Sequence, residues 1–350
     1  MAAETGAPST SSPPVATTPA AADATTTYTV NFSPVWTVGQ KFDYVADAST
    51  RSARVSSMPS VGARSPDPVV ICHVAGSGEC LAVSKNGVMT KMSLVVTSIN
   101  VTEDGKPIAP KADKNLPVAV NVPAVGAKIV VERDDAGVES FTVDGKPTSP
   151  SVNMRNGAWP PSTTPTNYRG QINYLGVAKF LSMLLPLADP QNTEQDSFSP
   201  QTPVAVGATW PLTAAGLAAF ERQLPLRFAA PEINPAKGNL PSTAGEMKLE
   251  SVSGSANDRV FVVSANIAVE NANVPPDGTS RLSADLTQDE KMNLSGNLSI
   301  HCPVTTQGTL SKTSALTIQE IAVTTYKSGK PFSTDKTDYN FNLSQQFTFK

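Results

Sequence analysis

The clearest pattern in the chain is its last one. Tyr339, Phe341, Leu343, Phe347 and Phe349 alternate with Asn340, Asn342, Ser344, Gln346 and Thr348, so a strand over Thr337 to Phe349 has one dry face and one wet face. The same period of two, less strict, predicts strands over Val260 to Glu270, Ser280 to Cys302 and Thr309 to Tyr326. Near the N-terminus, Tyr28, Val30 and Phe32 alternate, followed by Phe42, Tyr44 and Ala46. Val69 to Val74, the glycine-bearing Ala75-Gly76-Ser77-Gly78, and Glu79 to Val83 read as a hairpin. A further turn at Lys85-Asn86-Gly87 leads into Met92, Leu94 and Val96. Strands much longer than the usual five or six residues predict a strongly curved sheet or a half-barrel.

Helical periodicity is confined to the middle of the chain. Leu175, Ala178, Leu181, Met183 and Leu185 define a helix over Ile172 to Leu185, closed by Pro186. Thr213 is placed to cap a second, Ala214 to Gln223, and the interval from Asp189 to Pro200 reads as a polar connector. The expected organisation is a disordered Ala/Thr/Ser/Pro tether (1–27), a first β half (28–150), a connector with two helices (151–225) and a second β half (226–350) packed with the first as one unit. The fold class is mainly β, an α+β arrangement of a long antiparallel curved sheet with two short helices in mid-chain.

Two short phrases recur. Val38-Gly39-Gln40-Lys41-Phe42, Val125-Gly126-Ala127-Lys128-Ile129 and Val206-Gly207-Ala208-Thr209-Trp210 each set a glycine three residues before a large apolar side chain. A glycine at positive φ would turn the backbone there and start a strand with its first large residue in the core. Gly-Lys-Pro follows strand-like runs at Asp104-Gly105, Asp144-Gly145 and Ser328-Gly329. Without the spacing of a phosphate-binding loop, these are hairpin turns.

The Val-Gly phrases also carry a resemblance. Val38-Gly39-Gln40-Lys41-Phe42-Asp43-Tyr44 and Pro203 to Trp210, with Leu185-Pro186 upstream, resemble an uncharacterised family of secreted bacterial proteins, a domain of unknown function. The resemblance implies an extracytoplasmic β-rich fold, similar to periplasmic lipoprotein carriers whose curved sheet holds acyl chains. It carries no catalytic residue across.

Composition narrows the functional classes. A formal net charge of -3 with only 16% charged residues gives no basic footprint for nucleic acid. No stretch reaches the roughly 20 apolar residues of a membrane-spanning helix, and Leu175 to Leu187 is interrupted by Gly176, Lys179, Ser182 and Pro186. The helical segments and the proline-rich connector argue against a membrane barrel. Lys41 is the first basic residue, so an exported form is expected to have had its signal peptide removed.

Candidate chemistry is sparse. Cys72-His73, Cys80 and His301-Cys302 hold both histidines beside cysteines, but neighbouring strand residues face opposite ways, which works against a shared metal. The leading expectation is a disulfide, Cys72 to Cys80, clamping the hairpin, with Cys302 a buried thiol; reduced cysteines and a metal site are the alternatives. No Gly-x-Ser-x-Gly elbow is present, Ser333-Thr334-Asp335-Lys336 matches Ser-x-x-Lys by letters only, and the reading is non-enzymatic, without metal or cofactor. An apolar or lipid-like ligand would lie between sheet and helices, against Leu181, Leu184, Phe220, Phe341 and Phe347; ordinary core is the competing role for these five. The alternative is a cell-surface structural or glycan-contacting module that uses Trp159, Tyr168 and Tyr174.

Overall fold

A computed structural model describes residues 26–57, 69–107, 123–134, 139–148, 184–185, 187, 193–221, 241–273 and 285–350. The strands are β1 (Thr27–Tyr28), β2 (Lys41–Ser56), β3 (Val70–Val83), β4 (Met89–Glu103), β5 (Lys106–Pro107), β6 (Lys128–Arg133), β7 (Glu139–Val143), β8 (Lys146–Thr148), β9 (Val204–Ala205), β10 (Thr209–Thr213), β11 (Thr243–Ser253), β12 (Val260–Asn273), β13 (Leu286–Pro303), β14 (Thr309–Tyr326) and β15 (Pro331–Phe349). Two short helices are described, α1 (Glu194–Phe198) and α2 (Ala214–Glu221). The first falls within the expected polar connector, and the expected helix over Ile172 to Leu185 lies almost wholly outside the described residues.

One large curved antiparallel sheet dominates, in the order β10-β11-β12-β13-β14-β15-β2-β3-β4-β6-β7-β8, with β5 on β4. The central joint is the pairing of the C-terminal strand with the first long one, from Asp335 opposite Ser56 to Phe349 opposite Phe42. The alternation read from the sequence of β15 is kept: Tyr339, Phe341, Leu343 and Phe347 are buried while Asn340, Asn342, Ser344 and Gln346 are exposed.

The three Val-Gly phrases are one structural device used three times. Gly39, Gly126 and Gly207 have φ of 86°, 90° and 87°. Each turn closes by a backbone bond: Gln40 N to Thr37 O at 3.1 Å, Ala127 N to Ala124 O at 3.0 Å, and Ala208 N to Ala205 O at 3.1 Å. Positive φ at the third residue of such a turn is the mark of type II, which selects glycine. In each case the glycine N–H then donates to a neighbouring strand, at Cys80, Val96 or Leu249 O, and the strand residue donates back to the residue after the glycine. The turn thus ends in register for the next strand, and Phe42, Ile129 and Trp210 enter the core.

The Asp104-Gly105 and Asp144-Gly145 turns both have positive φ at two successive residues, the geometry of the hairpin turn type I′. Their aspartates accept the backbone N–H of Val69 and Lys128, both at 2.9 Å, so each turn also pins the adjacent strand.

The hairpin expected at Ala75 to Gly78 is not formed, since β3 runs unbroken through it. Gly76 and Gly78 lie in extended backbone on the inner face, where the Val95 carbonyl oxygen with the Leu94 side chain, and the Phe42 ring, respectively come too close for a Cβ. Their smallness makes room for these neighbours, and no turn is involved.

Candidate functional site

The inner face of the sheet is the only extensive apolar surface that the described strands share. Cross-strand register orders it into rows. One row runs Val269, Leu294, Ile318, Tyr339; the next Ile267, Gly296, Leu316, Phe341; the next Ala265, Leu298, Ser314, Leu343, Ala48, Cys72. Below these comes Val263, Ile300, Lys312, Gln345, Ala46, Val74, and then a base row with Leu310, Phe347, Tyr44 and Gly76. Toward the other end the same face turns polar, with Glu320, Thr337, Asp335 and Ser333 at inward register positions.

The base is filled and strapped. Residues 28–36 cross it, bending at Phe32 and Ser33, from the pairing of β1 with β9, past Tyr28 against Phe261, to the bridge between Val35 and Thr305 and the bond from Trp36 N to Gly87 O at 2.9 Å. The alternation of Tyr28, Val30 and Phe32 therefore reports burial under a strap more than a strand: only Thr27–Tyr28 is paired. Trp36 meets Phe42, Phe347 and Phe349 edge-on at 5.6, 5.5 and 5.2 Å, distances at which aromatic pairs stabilise beyond their buried area.

At the Lys312 row lies α1, which also packs against β10 and α2. Thr193 caps it, its hydroxyl oxygen accepting from Asp196 N at 3.1 Å. The side-chain amide of Gln195 ties the helix to the strap, accepting from Phe32 N and donating to Val30 O, both at 2.9 Å. Phe198 packs on Phe32, and its carbonyl accepts from Trp210 Nε1 at 2.8 Å. At the other end Glu194 forms an ion pair with Lys312, whose side chain projects from the inner face of β14. Both are largely shielded, with side-chain exposures of 11% and 16%. Beside them, Gln345 is 2% exposed and Tyr44 is fully buried, its hydroxyl donating to the Leu184 carbonyl. Burial raises the Tyr44 phenol well above its ordinary range, an effect that a hydrogen bond with Gln345 partly opposes.

Of the five residues expected to meet a ligand, Leu184, Phe220, Phe341 and Phe347 are all buried, and Leu181 lies outside the described residues. Tyr44 brings two of them together, touching Phe347 at 4.7 Å and the Leu184 carbonyl. Phe341 stands about 20 Å further along β15. Phe220 belongs to α2, which packs at the β10–β11 edge and is capped as expected, Thr213 Oγ1 accepting from Gly216 N at 3.0 Å. The aromatic residues of the glycan reading, Trp159, Tyr168 and Tyr174, lie outside the described residues. A shallow recess of about 390 Å³ opens where a bulge carries Asn271 beside Asn293 and Gln319, and its lining includes Val269 and Leu294 at the start of the first row.

The expected disulfide is not made. Cys72, Cys80 and Cys302 are free and buried. Cys72 and Cys80 share one face of one continuous strand, about 26 Å apart along it, far beyond disulfide reach. Cys302 is on β13, four strand spacings from β3 and so about 19 Å away along the sheet. His73 faces outward, 2.8 Å from Asp47, and His301 is exposed on the opposite face from Cys302.

Burial pushes the thiols up from their ordinary 9.0, to about 12 for Cys72 and Cys302 and about 11 for Cys80. Native protein at neutral pH should therefore resist iodoacetamide at all three positions, and denatured protein should take up label at all three, as read by intact mass. Because the unfolded thiols ionise first, their stabilising contribution is complete below about pH 9 and declines as pH rises toward the folded values. Thermal melts should accordingly show a lower Tm at about pH 10.5 than at about pH 8.

These features define a β-sheet protein with a buried, largely apolar inner face and, among the described residues, a shielded ion pair between Glu194 and Lys312 on it. No family model matches the chain, and no curated protein matches it. Three solved structures resemble it weakly. Lipovitellin, in a structure concerned with its lipid–protein interactions, is 9% identical with a TM-score of 0.27, over 91% of this chain and 25% of that one. Pseudomonas aeruginosa OccK11 (OpdR) is 7% identical with a TM-score of 0.17, over 91% of this chain and 100% of that one. The CymD monoaromatic hydrocarbon channel is 6% identical with a TM-score of 0.12, over 89% of each chain. The chain spans about a quarter of the lipovitellin chain.

Proposed function

We propose that the protein is a non-enzymatic, extracytoplasmic binding or carrier protein that takes an apolar, lipid-like chain against the inner face of its sheet. The observation that carries this reading is the length of the apolar strip. From Phe347 to Tyr339 it runs about 27 Å along the strands, apolar except at Ser314 and the pair Lys312 and Gln345, enough to lay an extended acyl chain lengthwise. The described elements at its lower half are small ones, α1 and residues 184, 185 and 187, joined to the sheet partly by polar contacts at Lys312 and Tyr44. A bound chain takes the place of that cover, so the ligand-free protein can be closed without a standing cavity. The near-neutral, sparsely charged composition fits an apolar ligand better than a nucleic acid.

Native mass spectrometry on protein purified from its source, followed by titration of delipidated protein with the fluorescent fatty acid cis-parinaric acid, tests the reading. A co-purifying lipid mass, or saturable one-site binding of the probe, is the expected result. Ligand-free protein that also fails to bind the probe overturns it.

A further inference from the structure

Lys312 is out of keeping with its surroundings. It sits in the row between Ile300 and Gln345, with Leu310 and Ser314 on either side along its own strand, and is the charged member of a row whose other described residues, Val263, Ile300, Gln345, Ala46 and Val74, are uncharged. Removing an ammonium from water costs several kcal/mol unless a counter-charge meets it, and replacing a buried ion pair by apolar residues of similar volume is often neutral or stabilising. Stability alone therefore does not account for a lysine at this point. Its partner is also informative. The carboxylate comes from no neighbouring strand, where it would be a permanent fixture, but from Glu194 on a five-residue cover helix.

Resting on the carrier reading above, we infer that the ligand is a long-chain carboxylate and that Lys312 is the anchor for its head group, with Glu194 holding the anchor while the site is closed. In the closed protein the Glu194 side chain stands in for the ligand's carboxylate. When the acid arrives, its head group takes over the ion pair and α1 is released from the sheet at that end. The Tyr44 hydroxyl and the Gln345 amide, in the same and the adjacent row, supply hydrogen-bond donors of the kind a carboxylate accepts. The tail then runs along Leu316, Phe341 and Ile318, which are buried in the closed protein and exchange their present cover for it, away from the head group toward the polar end of the face. Head and tail requirements are thus met along one line of the sheet.

The test compares palmitic acid with cetyl alcohol, which has the same chain and no charge, by displacement of a bound fluorescent probe from the full-length protein. Glu194→Gln removes the internal competitor and should tighten palmitate binding on the order of tenfold while changing the alcohol less. Lys312→Met should abolish the preference for the acid. Because that variant leaves Glu194 without its lysine, the double variant Glu194→Gln/Lys312→Met, which removes both charges, is measured alongside; it should fold and bind acid and alcohol alike. Equal tightening of both ligands by Glu194→Gln would show that the pair merely pins α1, and undiminished acid preference in the folded double variant would remove Lys312 from the site; either overturns the inference. Binding of neither ligand by the wild-type protein overturns the carrier reading itself, a result distinct from loss of selectivity alone.

Discussion

Phe347→Ala should lower the unfolding free energy by about 3–5 kcal/mol, the cost of deleting a large aromatic side chain from a packed core. The ring is 4% exposed and touches three others, Trp36 at 5.5 Å, Phe42 at 5.3 Å and Tyr44 at 4.7 Å. Those neighbours come from the strap and from β2, so the cavity left behind would border elements that are fixed by other contacts. Trp36 remains held by its backbone bond to Gly87 and Tyr44 by its hydroxyl bond to Leu184, which limits their collapse into the space. Urea denaturation read by tryptophan fluorescence checks the value, with an unchanged m-value expected if only the native state is affected. The same variant decides what the residue is for. A loss below about 1 kcal/mol, together with weakened binding of cis-parinaric acid, would put Phe347 in the ligand site and not in the core.

The contrast between Phe347 and Lys312 shows what could be read in the sequence. Alternation along β15 is legible because one face is dry over many residues, and each side chain declares its face by parity. Alternation cannot say whether a dry-facing phenylalanine packs against other protein or stands ready for a ligand; the rings around Phe347 come from chain segments some three hundred residues away. Lys312 was legible in part. The frame Leu310, Ser314, Leu316, Ile318 puts it on the inward side of an expected strand, and a lysine there is a signal in its own right. Glu194 was harder to see, because a five-residue helix has no periodicity to display. Its only advance notice is a capping pattern, Thr193 with Asp196 three residues later.

The misread hairpin has a similar origin. Gly76 and Gly78 resemble turn punctuation, and Cys72 and Cys80 on either side suggested a clamp. What the two glycines answer to is the Val95 carbonyl and Leu94 side chain for Gly76 and the Phe42 ring for Gly78, on adjacent strands, a matter of register that no local window contains. By contrast the Val-Gly turns were legible, since a positive-φ turn followed by a core residue is specified within a few consecutive positions.

Gly78→Val should be among the most damaging single substitutions in the protein, at the upper end of the about 1–3 kcal/mol typical of overpacking or beyond it. A Cβ at this position would lie 2.3 Å from Phe42 Cε2 and 2.5 Å from Cζ, well inside van der Waals contact. Phe42 has no room to retreat, being fully buried with its ring edge-on to Trp36 at 5.6 Å and 5.3 Å from Phe347. Gly39→Ala serves as the comparison. Nothing stands near the Cβ it would add, but φ is 86°, so the expected cost is the about 1–2 kcal/mol of a left-handed residue. The cause of the Gly78 effect is separable by a double-mutant cycle with Phe42→Ala, measured by urea denaturation. Removing the ring removes the clash, so the Gly78→Val penalty should shrink in that background, whereas Gly39→Ala should cost the same in either. A full penalty without the Phe42 ring would mean that Gly78 is required for its backbone conformation, and would return this stretch of β3 to the turn that its sequence suggests.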